Sequence, residues 1–171
     1  ELQDVEEILP WYSEVNPERT VEIVNYMKNQ AESGNKIFYD IYSDEEKNAD
    51  PEKADTGLFF FRGNPGEKTA VINAGGGFVY VAGMHDSFPQ ALELSKRGYN
   101  AFALIYRPGA QTACEDLTRA IAFLHEHAGE LQIDMKAILS GEARQEHVWQ
   151  HGWEVTGLLI LENRNTPSRA Q

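Results

Sequence analysis

The sequence V-I-N-A-G-G-G-F at residues 71–78 decides the fold. The apolar run from Lys68 to Asn73 predicts a short buried strand, and the glycines at 75–77 end it. Taken alone, a glycine run is typical of a tight turn. It is equally typical of a loop that approaches a bound group closely, because glycine has no side chain to keep that group away. The segments on either side distinguish these interpretations.

Downstream of the glycines the pattern becomes regular. Residues Asp86 to Arg97 predict an amphipathic helix that stops at Gly98. The nearly continuous apolar run Asn100 to Tyr106 predicts a strand buried in a parallel sheet. Thr112 to His127 predict a second amphipathic helix. Strand, helix, strand and helix in this order predict an α/β fold with right-handed crossovers.

Upstream of the glycines the elements are shorter. A helix is predicted over residues 17–33, with Asn16 as its N-cap. Its apolar face is predicted to comprise Val21, Val24, Met27 and Ala31. Residues 36–42 form a β-rich run, and the charged residues 43–56 are interpreted as a solvated turn or loop. Residues 57–62 predict a compact apolar strand.

The glycine stretch resembles the HGGG-type oxyanion loop of esterases and lipases in the α/β-hydrolase superfamily, with Ala74 where many relatives have His. The strand end L-I-Y-R-P at residues 104–108 resembles the Y-R strand end of the same family. The helix that contains Glu115 to Leu124 resembles the next helix of the family. The order of these three motifs is more specific than any one of them.

The resemblance covers roughly residues 36–136 and implies a division of the chain. Residues 1–35 are an N-terminal helical segment, and residues 36–136 are the N-terminal part of an α/β-hydrolase domain. Residues 137–171 are an atypical tail. The implied fold class is α/β, as a truncated α/β-hydrolase three-layer sandwich with a mostly parallel sheet.

The resemblance also implies where a substrate binds. The oxyanion donors are expected to be the backbone N–H groups of Gly76, Gly77 and Phe78. The substrate contacts are expected from Gly75, Tyr80 and His85. The family uses no metal and no cofactor, and its substrate is a small-molecule ester. Asp86 is interpreted as a cap or first-turn acid of the following helix.

The nucleophile of the family is missing from this sequence. A strand leading into G-x-S-x-G should follow the second helix, and that place instead reads L-S-G-E-A at residues 139–143. Ser140 before Gly141 is the nearest approximation, and G-x-S-x-G occurs nowhere in the chain. The resemblance therefore indicates a serine-dependent carboxylic-ester hydrolase without its serine or the acid and histidine of its triad. No catalytic residue is assigned, and the chain is expected to be inactive.

The composition of the chain changes after Lys136. Residues 137–171 contain no Lys, Asp, Phe or Tyr, although the whole chain has 7 Tyr and 8 Phe. The genetic code offers an explanation, in which each codon is re-read from its last base and the first two bases of the next codon. The junction of Trp149 and Gln150 then forces Ala, and the junction of Trp153 and Glu154 forces Gly.

One permitted re-reading of residues 136–157 is GYSLWGGSAGARMAAWLGSYG. This string contains G-G-S-A-G at the place where the family has its nucleophile, followed by a small-residue helix typical of the family. The hypothesis is a single-frame slip near Lys136 that replaced the nucleophile and everything after it.

Charge and composition exclude several classes of function. The formal net charge of −12 repels nucleic acid and anionic membrane surfaces, and no stretch approaches the roughly 20 apolar residues of a membrane span. Cys114 is the only cysteine, which excludes an intrachain disulfide and a Cys-rich zinc site. His147 and His151 have metal-ligand spacing, but no carboxylate completes an H-E-x-x-H motif. The chain begins at Glu1 without a visible signal peptide, so the compartment is undecided, with a slight preference for the cytoplasm.

Two alternatives to an ester hydrolase stay open. One is a non-catalytic remnant, and the other is an anion-binding or interaction module that uses the glycine loop. Hydrolysis of an activated short-chain ester would favour the enzyme, and saturable anion binding without turnover would favour the module. Neither behaviour would favour the remnant. A truncated sheet has an unpaired edge, so self-association through that edge is also expected.

Overall fold

The computed structural model describes residues 16–142 and 159–162 of the chain. These residues form a six-stranded sheet with the strand order β1-β2-β4-β3-β5-β6. The strands are β1 (Phe38–Asp40), β2 (Gly57–Phe61), β3 (Lys68–Asn73), β4 (Asn100–Ile105), β5 (Asp134–Glu142) and β6 (Leu159–Glu162). The helices are α1 (Pro17–Glu32), α2 (Asp44–Ala49), α3 (Phe88–Lys96) and α4 (Ala110–Leu131). A 3-10 turn at Pro51–Lys53 follows α2, and a π-helical turn at Gly83–Ser87 precedes α3.

The predicted α/β fold is confirmed, with a parallel centre and antiparallel flanks. β3 pairs in parallel with β4 on one side and with β5 on the other. β1 with β2, β2 with β4, and β5 with β6 are antiparallel. The mostly parallel sheet that we expected therefore describes the three central strands only. β2 runs against β3 because the short link at residues 62–67 cannot make the long crossover that parallel strands need.

The helices cover both faces of the sheet, as in a three-layer sandwich. α4 lies on one face, where Ala120 and Leu124 pack with Phe102 of β4. α1 and α3 lie on the other face, where Ile23 and Leu92 belong to a second core cluster. The connection from β3 to β4 and the connection from β4 to β5 move in opposite directions across the sheet. Since both crossovers keep the right-handed sense, their helices fall on opposite faces.

The predicted solvated loop at residues 43–56 is wrong. The Ser43 hydroxyl accepts a hydrogen bond from the Glu46 N–H at 3.2 Å, and the Glu46 carboxylate accepts one from the Ser43 N–H at 2.9 Å. This capping box satisfies the first backbone donors of α2 and starts the helix. α2 has six residues and buries none of them, so no apolar periodicity marks it in the sequence.

The predicted apolar face of α1 is correct at Met27, which packs against the second core cluster, and wrong at Ala31, which is exposed. The fully buried residues of the helix are Thr20 and Ile23 rather than Val21 and Val24, which are half-buried. Tyr26 stacks on Phe61 of β2 with ring centroids 5.4 Å apart, which turns the aromatic side of the helix toward the sheet. Within the described residues, no helix has the length and apolar character needed to cross a bilayer.

Candidate functional site

The glycine loop, residues 74–82, lies at the carboxyl end of β3, where it connects that strand to the π-helical turn. Gly76 has φ +130°, and a Cβ at this position would come within 2.1 Å of the Tyr80 carbonyl oxygen. Gly77 and Phe78 both have φ near +60°. Only glycine takes the conformation of Gly76 without a clash, and Phe78 stores local strain because non-glycine residues rarely adopt positive φ. The glycine run is therefore required by the path of the backbone.

The peptide group between Ala74 and Gly75 is held at both of its polar atoms. The Gly75 N–H donates to Oδ2 of Asp86 at 2.6 Å. The Ala74 carbonyl accepts a hydrogen bond from the Tyr106 hydroxyl, also at 2.6 Å. Ala74 and Tyr106 are both buried. The loop therefore leaves β3 in one fixed direction.

Further bonds fix the rest of the loop. The Gly109 N–H, at the start of α4, donates to the Phe78 carbonyl at 2.7 Å. Inside the loop, the Val79 N–H donates to the Gly76 carbonyl at 3.1 Å. In the part of the chain that the structure describes, the N–H groups of Gly76, Gly77 and Phe78 donate to no protein atom. These three donors are the ones that the sequence assigned to an oxyanion.

A cavity of about 140 Å³ lies between the glycine loop and α4. Its walls are mostly apolar, and they are formed by Asn73, Ala74, Phe78, Tyr106, Ala113, Cys114 and Leu117. The Oδ1 atom of Asn73 is buried and has no hydrogen-bond partner among the described residues. Cys114 is exposed on α4. Sequence reasoning missed this cavity, because α4 and the end of β3 are brought together only by the fold.

The residues expected to contact substrate do not converge on this cavity. Phe78 alone among the predicted site residues lines it. Gly75 uses its N–H on Asp86, and His85 is half-buried in the π-helical turn. Tyr80 lies in a short exposed apolar run with Phe78 and Val79, whose exposures are 44% for Phe78, 79% for Val79 and 45% for Tyr80. This run borders the loop on its solvent side.

Of the two roles expected for Asp86, first-turn acid is confirmed and helix cap is wrong. Asp86 is an acid in the first turn of the π-helical segment Gly83–Ser87 that leads into α3, and neither segment has a side-chain hydrogen bond at its N-cap. Instead, its carboxylate accepts from the Gly75 N–H and from the Gln90 side-chain amide, the latter at 3.1 Å. It is 5% exposed. The Asp86 carboxylate therefore binds the glycine loop and not the free N–H groups at the start of α3.

A buried ion pair supports the end of β4 next to the loop. Asp116 accepts from the Arg107 backbone N–H at 2.7 Å and from its guanidinium at 2.8 Å. The Tyr42 hydroxyl donates to the same carboxylate at 2.6 Å. Burial, then the hydrogen bond to Asp116, raises the pKa of Tyr42 to about 12. The hydrogen bond to Asp116 also raises the pKa of Arg107 above its ordinary value, so the guanidinium stays charged. Arg107, the R of the Y-R strand end noted in the sequence, is thus the residue that binds Asp116.

Within residues 16–142 and 159–162, the other candidate residues do not form a second site. Among the described residues, no group of three or more His, Cys, Asp or Glu side chains is placed to bind a metal ion. His147 and His151 lie outside the described residues. His127 contacts the Glu130 carboxylate at 3.2 Å near the end of α4. Ser140 lies within β5, where its backbone is paired with Val71.

Comparison with known proteins supports the fold. No protein-family model and no curated protein sequence matches the chain. Among solved structures, an acetyl ester-xyloside bifunctional hydrolase from Caldicellulosiruptor lactoaceticus matches with 22% identity and a TM-score of 0.53, over 61% of this chain and 41% of that one. Esterase 2 from Thermogutta terrifontis matches with 21% identity and a TM-score of 0.51, over 62% and 41%. It has also been solved with butyrate bound. Esterase B from Lactobacillus rhamnosis matches with 18% identity and a TM-score of 0.50, over 63% and 35%.

At sequence identities of 18–22%, these matches show similarity of fold alone. The chain spans about two fifths of the length of the first two of those structures. The glycine loop at the end of β3, the helices on both faces of the sheet and the structural matches lead to one conclusion. The described part of this chain has the α/β-hydrolase fold, in the form found in esterases.

Proposed function

We propose that the gene for this chain derives from a serine-dependent carboxylic-ester hydrolase, and that the chain as written is inactive because a single-frame slip removed its nucleophile. The observation that carries the proposal is the register of β5 against β3. Glu142, the last residue of β5, is paired with Asn73, the last residue of β3. The glycine loop begins at the next residue, Ala74.

This register defines where a nucleophile belongs. In α/β-hydrolases, the serine follows a strand at a sharp turn, and an N–H group from the loop after the neighbouring strand completes the oxyanion hole. In the frame-restored protein we therefore expect the residue after this strand to lie beside the glycine loop. In the re-read frame, the codons of Ala143 and Arg144 encode the serine of G-G-S-A-G. The re-read serine thus comes directly after the strand in the sequence, as the arrangement of the family requires.

The glycine loop supplies the second part of the chemistry. Acyl transfer builds negative charge on the carbonyl oxygen of the ester, and preorganised N–H donors stabilise that charge. The N–H groups of Gly76, Gly77 and Phe78 are proposed as these donors, with the loop fixed at Ala74 and Gly75. Without a serine and its base, donors alone leave only a small residual acceleration. The chain as written is therefore expected to bind or polarise an ester without turning it over.

A short acyl group is the proposed substrate class. The apolar cavity beside the loop holds about 140 Å³, which suits a few carbon atoms. The esterase from Thermogutta terrifontis, with butyrate bound, is an example of this fold with a short acyl group.

The test compares the chain as written with a frame-restored protein. The restored gene carries the one-base correction near Lys136 and continues in the corrected frame to its own stop codon. Both proteins are assayed with p-nitrophenyl acetate. Turnover by the restored protein alone is the expected result. Alanine in place of the re-read serine should abolish it, because the nucleophile is lost.

Two controls make the assay decisive. Ser140→Ala in the chain as written should change nothing, and loss of a measured activity in that variant would instead identify Ser140 as a nucleophile and overturn the proposal. The natural codons provide an independent check. A source gene whose codons after Lys136 cannot encode G-x-S-x-G in the shifted frame would also contradict the slip.

A further inference from the structure

We propose that Asp86 is the positioning residue of the glycine loop, holding the oxyanion donors at Gly76 to Phe78 in place through the N–H of Gly75. The inference rests on the proposed ester-hydrolase function for its catalytic meaning. Its structural content, an acid that controls the order of this loop, can be tested on the chain as it is.

The first observation is the burial of the acid together with its bonds. Asp86 is 5% exposed, and both of its carboxylate oxygens are used. Oδ2 accepts from the Gly75 N–H at 2.6 Å, and Oδ1 accepts from the Gln90 amide at 3.1 Å. Hydrogen bonds to an ionised carboxylate are shorter and stronger than those between neutral groups. A buried carboxylate needs such partners, because burial without them is costly.

The second observation is the peptide group that Asp86 holds. The Ala74–Gly75 peptide directly precedes the donor glycines. Its carbonyl is fixed by the Tyr106 hydroxyl and its N–H by Asp86. A peptide group held at both atoms cannot rotate about its flanking bonds. The orientation of the next N–H groups follows from this fixed starting point.

The third observation is that the loop needs an external support. Gly76 and Gly77 lack side chains that could pack, and both have positive φ. Glycine loses more conformational entropy on ordering than other residues. Gln90 lies on α3, one turn after Asp86, so the carboxylate connects the glycine loop to a rigid helix. Oxyanion donors act only when they are held in place before the reaction, and Asp86 supplies that constraint.

The experiment measures amide hydrogen exchange across residues 74–82 in the chain as written. Asp86→Asn keeps the shape of the side chain and removes its charge. Loss of a charge-assisted hydrogen bond should speed exchange at Gly75 by roughly 10- to 100-fold, with faster exchange at the following amides. Glu93→Gln is the matched control, because Glu93 is a partly exposed acid on α3 that contacts Arg97 rather than the loop. It should leave loop exchange unchanged.

A loop that exchanges at the same rate in Asp86→Asn would overturn the inference. A uniform increase over α3 and the sheet would also overturn it, since that result indicates a purely structural acid. If Asp86→Asn does not fold, Tyr106→Phe replaces it. This variant frees the other end of the same peptide group and should loosen the same amides, and an unaltered loop there would count against the proposal.

The frame-restored protein separates this inference from the proposed function. In that protein, Asp86→Asn should lower kcat by roughly 10- to 100-fold with little change in KM, because misplaced donors weaken transition-state binding selectively. Equal kcat in the variant and the parent would contradict a positioning role. If the restored protein has no esterase activity, the proposed function fails, and the exchange experiment on the chain as written still decides the role of Asp86.

Discussion

Asp116 connects α4 to Arg107, which follows β4. It is fully buried and accepts hydrogen bonds from Arg107 and Tyr42. Asp116→Asn should lower the free energy of unfolding by about 3 kcal/mol, because it leaves the Arg107 charge buried. The loss is limited by Asp50, whose carboxylate lies 3.1 Å from the same guanidinium. Urea denaturation measures it. The neighbouring Glu115→Gln should cost less than about 1 kcal/mol, because that side chain is half exposed, and equal losses would contradict the assignment.

Through its hydrogen bond with Tyr42, Asp116 also makes the free energy of unfolding depend on pH in the alkaline range. The pKa of Tyr42 rises from 10.0 to about 12 in the folded chain, because of burial and the hydrogen bond to Asp116. A folded-state pKa above the unfolded one means that the neutral phenol favours folding. This contribution is complete below pH 10 and is lost as pH rises toward about 12. The free energy of unfolding of the parent should exceed that of Tyr42→Phe by a constant amount from neutral pH to pH 10. Above pH 10 this difference should shrink. A constant difference above pH 10 would argue against this coupling.

Two glycines should respond to alanine in opposite directions. At Gly76 a methyl group would come within 2.1 Å of the Tyr80 carbonyl, and φ is +130°. Gly76→Ala should therefore destabilise the chain by more than about 1 kcal/mol. Gly129 lies within α4, and a methyl group there would meet nothing within 4 Å. Gly129→Ala should stabilise by about 0.5–1 kcal/mol. Thermal unfolding of both variants tests the contrast, which fails if both shift in the same direction.

Among the elements, α2 shows what the sequence leaves hidden. Ser43→Ala removes one half of the capping box and should cost about 1 kcal/mol. Asn48→Ala, on the exposed side of the same helix, should cost nothing, because alanine is the better helix former. Urea denaturation compares them. Equal stability of the Ser43 variant and the parent would mean that α2 forms without its cap.

Elements with a strong apolar pattern were predicted well, and those without one were not. β3 and β4 agree with the runs at residues 68–73 and 100–106 to within one residue. α2 was missed because its Ser43-x-x-Glu46 capping box has no apolar face behind it. The glycine loop could be located from the sequence, because the backbone conformation at Gly76 and Gly77 requires glycine at those positions. The support from Asp86 could not, because its bond to Gly75 spans 11 residues and depends on how α3 packs.

For the whole molecule, the net charge and the open sheet edge have opposite effects on self-association. β1 is one edge of the sheet, and an open edge favours pairing with another chain. The net charge of −12 opposes such contacts at low ionic strength. Sedimentation velocity should therefore show more self-association at about 0.5 M NaCl than at about 0.02 M, since salt screens the repulsion. A chain that stays monomeric throughout would exclude edge pairing.

The strand order β2-β4-β3 has a consequence for how the chain folds. β2 and β3 are joined by a short turn, yet β4 lies between them, so they cannot zip together as a hairpin. During synthesis, β2 and β3 each keep an unpaired edge until α3 and β4 have emerged. The other edge of β3 stays unpaired until β5 emerges, because the first pair of these two strands joins Lys68 to Asp134, 66 residues further along the chain. Non-local pairing of this kind slows folding and prolongs the exposure of unpaired strand edges, which favour aggregation. The proposed frame slip would therefore alter the last strand that pairs with β3, after β1, β2 and β4 have been synthesised.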